Sequence, residues 1–326
     1  MVAENYGYFG GPRLRQQQTL AQPATCSGVG LHTAKQATLI LHPAPPDTGI
    51  VFVLQGARGP VFFDATIRNV VETELCTALR SNGVMVQTVE HVLSALAGLE
   101  IDNVYVELDA AEVPAMDGSA GPFVRLIRAA GIQAQDKRQP FLRIMQPIEA
   151  KEGDRRVVIK PAVSSRITYT IEYAHPLIRR QSYMYDCSVG AFEQDIAEAR
   201  TFGFLHEVRE LWSRGLGKGG SLDNTVVLSQ DGILNESGLR FSDEFVRHKI
   251  LDLVGDLALL GVPIVGHLIA DRSGHALHTK LVQEILEQPD KWMLINAEGA
   301  AAPESRPLYR SHPAAHTIPL HVQAQV

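Results

Sequence analysis

Along residues 245–261, FVRHKILDLVGDLALLG, apolar side chains recur with the rhythm of a helix buried over most of its circumference. Val246, Ile250, Val254, Leu257 and Leu260 take one side. His248, Asp252 and Asp256 stand four residues apart, about 40° of net rotation per step, so they line the other side one turn above another. A solvent-facing stripe is the plain explanation, with Arg247 and Lys249 pairing with Asp252 across a turn. Two features favour a site. The helix runs straight into VPIVGHLIA, which reads as a core strand with His267 as a core histidine. A surface stripe would also more often use Glu, Lys and Gln, which favour helix more than Asp and His do.

The same order of elements occurs twice. TLILHPAPPDTGIVFV and RVVIKPAVSSRITYTIEY each read as a strand, then Pro-Ala, then a second strand. Later, TVEHVLSALAGLEIDNVYVELDAAEVPAMDGSAGPFVRLIRAAG and EFVRHKILDLVGDLALLGVPIVGHLIADRSGHALHTKLVQEILE each read as a His-bearing helix, a strand, a small-residue loop and a second helix. Setting His91 beside His248 brings strands and loops into register. The pattern predicts two similar α+β domains packed face to face, joined near Gln133–Pro140. The alternative is chance recurrence of strand-helix-strand order within one mixed domain.

Composition narrows the class. At 326 residues the chain can bury two cores, and 45% hydrophobic residues with a net charge of −6 describe a soluble globular protein without a nucleic-acid charge signature. Cys26, Cys76 and Cys187 form no CxxC and no disulfide framework, which fits a reducing, cytoplasmic compartment. The N-terminus lacks the apolar region of a signal peptide. The longest apolar run, Leu257–Ala270, is too short to span a bilayer. No nucleic-acid partner and no transmembrane segment are expected.

If the halves pack about a pseudo-dyad, His91 meets His248 and Asp252. Two imidazoles and a carboxylate are the ligand types of an open catalytic zinc site. Glu90 then stands beside a ligand, placed to take a proton from a water whose pKa zinc lowers to about 7. Neither VEH nor HxxxD means much alone; the combination carries the information, and no HExxH competes with it.

SGVGLHTAK, TVEHVLSALAGLEIDNVYVELDAAEVPAMDGSAGPFV, ARTFGF, RGLGKGGSLDN, LRFSDEFVRHKILDLVGDL and SGHALHTKL together resemble the UDP-3-O-acyl-N-acetylglucosamine deacetylases, in order from about Gln16 to Gln288. The resemblance implies a zinc amidase of lipid A biosynthesis with layered β-α-α-β packing and its site between the domains. It implies a small β insert in the first domain and a β-α-β insert near 201–228 in the second. It assigns Zn²⁺ to His91, His248 and Asp252, the general base to Glu90, a protonated imidazole to His275 and its orienting carboxylate to Asp256. Lys249 and Thr201 match groups near the oxyanion. Phe202, Val208, Leu211, Gly220, Ser221 and His32 fall on substrate-facing segments. Cys76 matches a residue near the metal, although a plain buried thiol is the simpler reading.

The domains expected on this basis span 16–137 and 138–292, with an extension over 1–15 and a flexible tail over 293–326. The family's chains are usually monomers, and the acylated substrate leaves room for peripheral contact with the inner membrane. Ala34, Gln36 and Ala115 depart from the family pattern, none at a ligand or base. Two rival functions remain open: a zinc amidase acting on another acylated amino sugar, and a non-catalytic metal-binding protein. A structural zinc normally has four protein ligands, which favours the open catalytic site.

Overall fold

The structure, a computed structural model, describes residues 15–56 and 59–295. The expected N-terminal extension as far as residue 14 and the expected tail from residue 296 lie outside the described residues.

Two five-stranded sheets carry the architecture. The first has the spatial order Ala24–Val29, Gln36–Pro43, Val104–Leu108, Ile50–Leu54, Val61–Asp64. The second has the order Ile148–Glu152, Arg155–Lys160, His267–Asp271, Arg166–Tyr173, Arg179–Asp186. In both, the third and fourth strands pair in parallel and all other neighbours are antiparallel. Chance recurrence of elements would not reproduce the strand order and every strand sense; a duplicated unit does.

The described residues form six α-helices: α1 (Glu90–Gly98), α2 (Gly121–Ala130), α3 (Val189–Ala191), α4 (Val208–Ser213), α5 (Glu244–Ala258) and α6 (His275–Glu287). α1 and α5 precede the third strand of their sheets, and α2 and α6 follow it. α1 packs on α5, so the layers run sheet, helices, helices, sheet around one continuous apolar core. Both faces of α5 are therefore buried: Val246 and Ile250 on one, His248, Asp252 and Asp256 on the other. That removes the solvent reading of the stripe. The helices come close because Gly255 has no side chain; a Cβ there would stand 2.1 Å from the Glu90 carbonyl oxygen.

Each half carries its insert. The first is a three-stranded antiparallel sheet of Val70–Glu72, Ala78–Ser81 and Val84–Gln87. In the second, Phe202–Phe204 pairs in parallel with Val226–Leu228, and α4 lies on the crossover between them.

One local expectation gains detail and two change. Within the join at Gln133–Pro140 the chain forms the strand Ile132–Arg138, antiparallel to the mostly buried Gln16–Leu20, and is itself mostly exposed, which accounts for its polarity. Residues 293–295 belong to the strand Trp292–Ile295, paired with Phe141–Ile144, rather than to a flexible tail. His267 is half-buried, with the Thr168 hydroxyl 2.9 Å from its Nε2, because it lies at the first position of its strand and not in the middle of the core. No helix among the described residues is long and apolar enough to cross a membrane.

Candidate active site

The site lies where α1 crosses α5. His91, in the first turn of α1, and His248, one turn into α5, place their rings edge to face with centroids 5.0 Å apart. Asp252, one turn beyond His248, directs Oδ1 between them, 3.3 Å from His248 Nε2 and 3.7 Å from His91 Nε2. All three are buried.

These separations test the metal. Atoms held about 2.0–2.1 Å from one tetrahedral zinc stand about 3.3 Å apart, close to the 3.3 and 3.7 Å that separate Asp252 Oδ1 from the two imidazole nitrogens. His248 Nδ1 donates to the Ala199 carbonyl at 3.0 Å, which leaves the Nε2 lone pair facing inward. Burial lowers the His248 pKa to about 4, so the ring is neutral and able to coordinate. Burial opposes the charge of Asp252, but His248 and Lys249 outweigh it and hold the carboxyl well below its usual range. The Lys249 ammonium donates to Asp252 Oδ2 at 2.6 Å, which fixes Oδ1 as the oxygen turned to the histidines. A neutral His248 ring, the His91 imidazole and an ionised Asp252 are donor types that fit a divalent ion.

Asp256, His275 and His278 form a second buried cluster with a different spacing. His275 Nδ1 donates to Asp256 Oδ2 at 2.7 Å and His278 Nδ1 donates to the same oxygen at 2.8 Å. Such short separations are charge-assisted hydrogen bonds and not edges of a coordination tetrahedron. His278 Nε2 then lies within hydrogen-bond distance of the Ser273 and Tyr169 hydroxyls, at 3.0 and 3.1 Å. Burial alone would lower the His275 pKa; the charge and hydrogen bond of Asp256, with Asp252 and Glu90, overcome it and raise it to about 9. For Asp256, burial is outweighed by His275 and His278, and the pKa falls to about 2. The pair is an imidazolium and a carboxylate at neutral pH. With Nδ1 committed, His275 Nε2 is the free donor, and it lies 4.0 Å from Asp252 Oδ2, beside the metal ligands.

Glu90 precedes His91 and is buried to 3% exposure. Burial raises its pKa, against the opposing charges of His275 and His91, so its proton affinity suits a base. Its Oε2 accepts the Thr77 backbone N–H at 3.0 Å. Cys76 is buried as well, and burial reinforced by the Glu90 charge pushes its thiol up to about 12. So high a thiol pKa fits the plain buried thiol.

The residues expected to face substrate belong to the second insert and to the loop after the strand Ala24–Val29. Phe202 stacks edge-on against Phe245 at 5.0 Å and lies 6.4 Å from the His248 ring. Thr201 is tied through its backbone to Gly118 and Val226. His32 is buried; its Nδ1 accepts the Gly217 N–H at 3.3 Å, and its backbone N–H donates to Glu112 Oε1. This contact docks the first half's loop on the glycine-rich segment of the second insert. Gly219 packs there so tightly that a Cβ would stand 2.1 Å from the Gly30 carbonyl oxygen. Ala34, in the same loop, has φ +58°, the left-handed region where the family's glycine would be unstrained. Gly220 and Ser221 are exposed in the following turn, where Ser221 N–H donates to Asn224 Oδ1.

The apolar run from Phe204 to Trp212 is not one amphipathic helix. Phe204 ends a strand, Leu205–Glu207 make one 3₁₀ turn and α4 spans only Val208–Ser213. Val208 and Leu211 are half-buried, while Leu205 and Trp212 are 47% and 55% exposed. Core packing does not account for such exposure.

Thr77, Glu112 and His278 escaped sequence reasoning. His278 carried a signal, three residues after His275 on one helix face. Thr77 and Glu112 carried none.

Three side chains that could hold a metal ion, a buried carboxylate beside them and an imidazolium, set between two duplicated α+β halves, are the constellation of a metal-dependent hydrolase. Residues 17–287 match the family model described as UDP-3-O-acyl N-acetylglycosamine deacetylase, and the chain belongs to that family. It is 46% identical over 286 residues to the UDP-3-O-acyl-N-acetylglucosamine deacetylase of Syntrophotalea carbinolica, covering 88% of this chain and 93% of the relative. The enzyme of the same name from Myxococcus xanthus is also 46% identical, with 88% and 91% covered. That from Syntrophus aciditrophicus is 45% identical over 276 residues, with 85% and 88% covered.

Proposed function

We propose that this chain hydrolyses the N-acetyl group of a UDP-3-O-(3-hydroxyacyl)-N-acetylglucosamine, giving acetate and the free amine, as the committed step of lipid A biosynthesis. The observation that carries this reading is the convergence of His91, His248 and Asp252 beside Glu90 and His275, in a chain matching the deacetylase family over residues 17–287.

The metal of the proposal is Zn²⁺, which when held by His91, His248 and Asp252 supplies Lewis acidity toward the amide carbonyl and toward a water. Glu90 takes the proton of the attacking water. Its Oε2 already accepts the Thr77 N–H, so Oε1 is the less engaged oxygen for that proton. His275 presents Nε2–H to the developing negative charge, with Asp256 holding its orientation. Lys249 and Thr201 border the same region, and Lys249 adds positive field through its bond to Asp252. The departing amine receives its proton from Glu90 or His275, the two groups that carry one at that stage. Phe202, His32, Gly220 and Ser221 line the approach to the sugar. The catalytic unit comprises both halves, residues 16–137 and 138–292. On this reading the enzyme acts in the cytoplasm as a monomer that touches the inner membrane at its surface.

The half-buried Val208 and Leu211, beside exposed Leu205 and Trp212, offer the acyl chain an open passage. Burial of hydrocarbon contributes about 0.8 kcal/mol per CH₂, so four buried methylenes change kcat/KM by roughly a hundredfold. Free-amine formation from the acylated UDP-sugar is therefore expected to exceed that from UDP-N-acetylglucosamine by at least about that factor. Leu211→Ser should narrow the gap at unchanged folded stability. Equal efficiency on both sugars would return α4 to ordinary packing and leave the substrate assignment without support.

The imidazolium also predicts a pH dependence. His275 is raised, so its charged form persists at neutral pH and is lost as pH rises through about 9 in the metal-free chain. A bound dication repels the imidazolium and moves that loss to lower pH. NMR titration of His275 should thus show a pKa near 9 without metal and a lower one with it, and turnover should fall on the alkaline side with the lower value. An ordinary histidine pKa in the metal-free protein would remove the imidazolium from the mechanism.

A further inference from the structure

We infer that Thr77 is a positioning residue that sets the two proton-transfer groups, the Glu90 carboxylate and the Asp256–His275 pair, in one frame; the catalytic meaning of this frame rests on the deacetylase reading above. Thr77 lies in the first insert, immediately before the strand Ala78–Ser81, and has no solvent exposure. All three of its polar groups are used. Its backbone N–H donates to Glu90 Oε2 at 3.0 Å, and its carbonyl accepts from Val89 N–H at 3.2 Å, clamping the start of α1. Its hydroxyl donates to Asp256 Oδ1 at 2.6 Å, 179 positions away on α5 of the other half.

Donor accounting fixes the direction of that last bond. A hydroxyl has one hydrogen, and an ionised carboxylate only accepts, so the 2.6 Å contact consumes it. The Thr77 oxygen also lies 3.3 Å from His275 Nδ1, where it can only accept a second, longer share of the imidazolium N–H. Asp256 is thus gripped at both oxygens: Oδ1 by Thr77, Oδ2 by His275 and His278. Both grips are needed. The terminal torsion of an aspartate is broad, and a carboxylate held through one oxygen can still swing. Without the hydroxyl, Oδ1 becomes a buried acceptor with no donor from the first half, and His275 follows the swing. The Glu90 arm uses backbone and survives any side-chain change. Thr77 therefore joins base and imidazolium through one residue, across the interface that α1 and α5 create.

The test compares Thr77→Val, which keeps the shape and loses the hydroxyl, with Thr77→Ser, which keeps the hydroxyl. In zinc-loaded protein, Thr77→Val should lower kcat about 10- to 100-fold, the scale of a lost hydrogen bond to a charged group, with KM and bound zinc unchanged. Thr77→Ser should restore kcat to within a few-fold. In a His275→Ala background, Thr77→Val should add little, because it acts through the pair. Independently of turnover, the His275 Nδ1–H proton resonance should be sharp in the wild type and Thr77→Ser, and broadened or lost in Thr77→Val. Should Thr77→Val not fold, Thr77→Ala takes its place in every comparison. Wild-type kcat per folded molecule in the hydroxyl-free variant, additive losses with His275→Ala, or an unaltered Nδ1–H resonance would each overturn the inference. A wild-type protein that does not deacetylate the sugar would instead defeat the functional reading, and the resonance comparison would still decide whether Thr77 holds the pair.

Discussion

His248→Ala is expected to empty the metal site and abolish turnover together. His248 donates through Nδ1 to the Ala199 carbonyl, so its Nε2 is aimed before any ion arrives. Without it, His91 and Asp252 remain, and Asp252 is already engaged by the Lys249 ammonium at 2.6 Å. Two donors, one of them shared with a buried cation, make a poor site. Loss of an outer-shell partner of a metal ligand costs about 10–100-fold in affinity or activity, and loss of the ligand itself costs more. The fold should persist, because the shared apolar core does not depend on this imidazole. A strong chelator should reproduce the effect in the unmodified chain, with reactivation on adding zinc. Metal analysis, circular dichroism and turnover on the same sample check this. Full activity after verified removal of metal would show that the three residues do not hold a catalytic ion.

Glu90→Gln should separate metal from proton transfer. The amide keeps the shape and still offers an oxygen to the Thr77 N–H, but it cannot take a proton from water. Turnover should fall about 10²–10⁴-fold, the range of a positioned acid–base group, while metal content is retained. Stability should hold or rise. Burial raises the Glu90 pKa, so folding disfavours its charged form, and a neutral amide is free of that cost. A lower Tm together with near-normal turnover per folded molecule would make Glu90 a structural carboxylate and pass the base to another group.

Much of this was legible in one dimension. Four-residue spacing of His248, Asp252 and Asp256 is a statement about a helix face, and α5 presents them on one face because helical periodicity allows nothing else. The repeated strand, helix and loop order likewise anticipated two sheets with identical strand order, since each apolar face needs a partner layer to bury it. Both signals are local. The run from Phe204 to Trp212 shows the limit of such signals: its spacing is helical, yet the chain makes a strand, a 3₁₀ turn and a short helix there. Pairing of Phe202–Phe204 with Val226–Leu228 overrides the periodicity.

What residue types and spacing determined is therefore the inventory: which side chains share a face, and that imidazoles and carboxylates stand where apolar residues would otherwise be. Tertiary structure alone decided their partnerships. Spacing cannot say that Asp252 stands 3.3 Å from His248 Nε2, a ligand spacing, while Asp256 stands 2.7 Å from His275, a hydrogen-bond spacing. Those distances come from how closely α1 approaches α5 at Gly255, and from a loop that brings Thr77 to Asp256 across 179 positions. Periodicity sets the direction in which a side chain leaves its element. The distance to a residue on another element is set by packing the whole core, a property of all the contacts together.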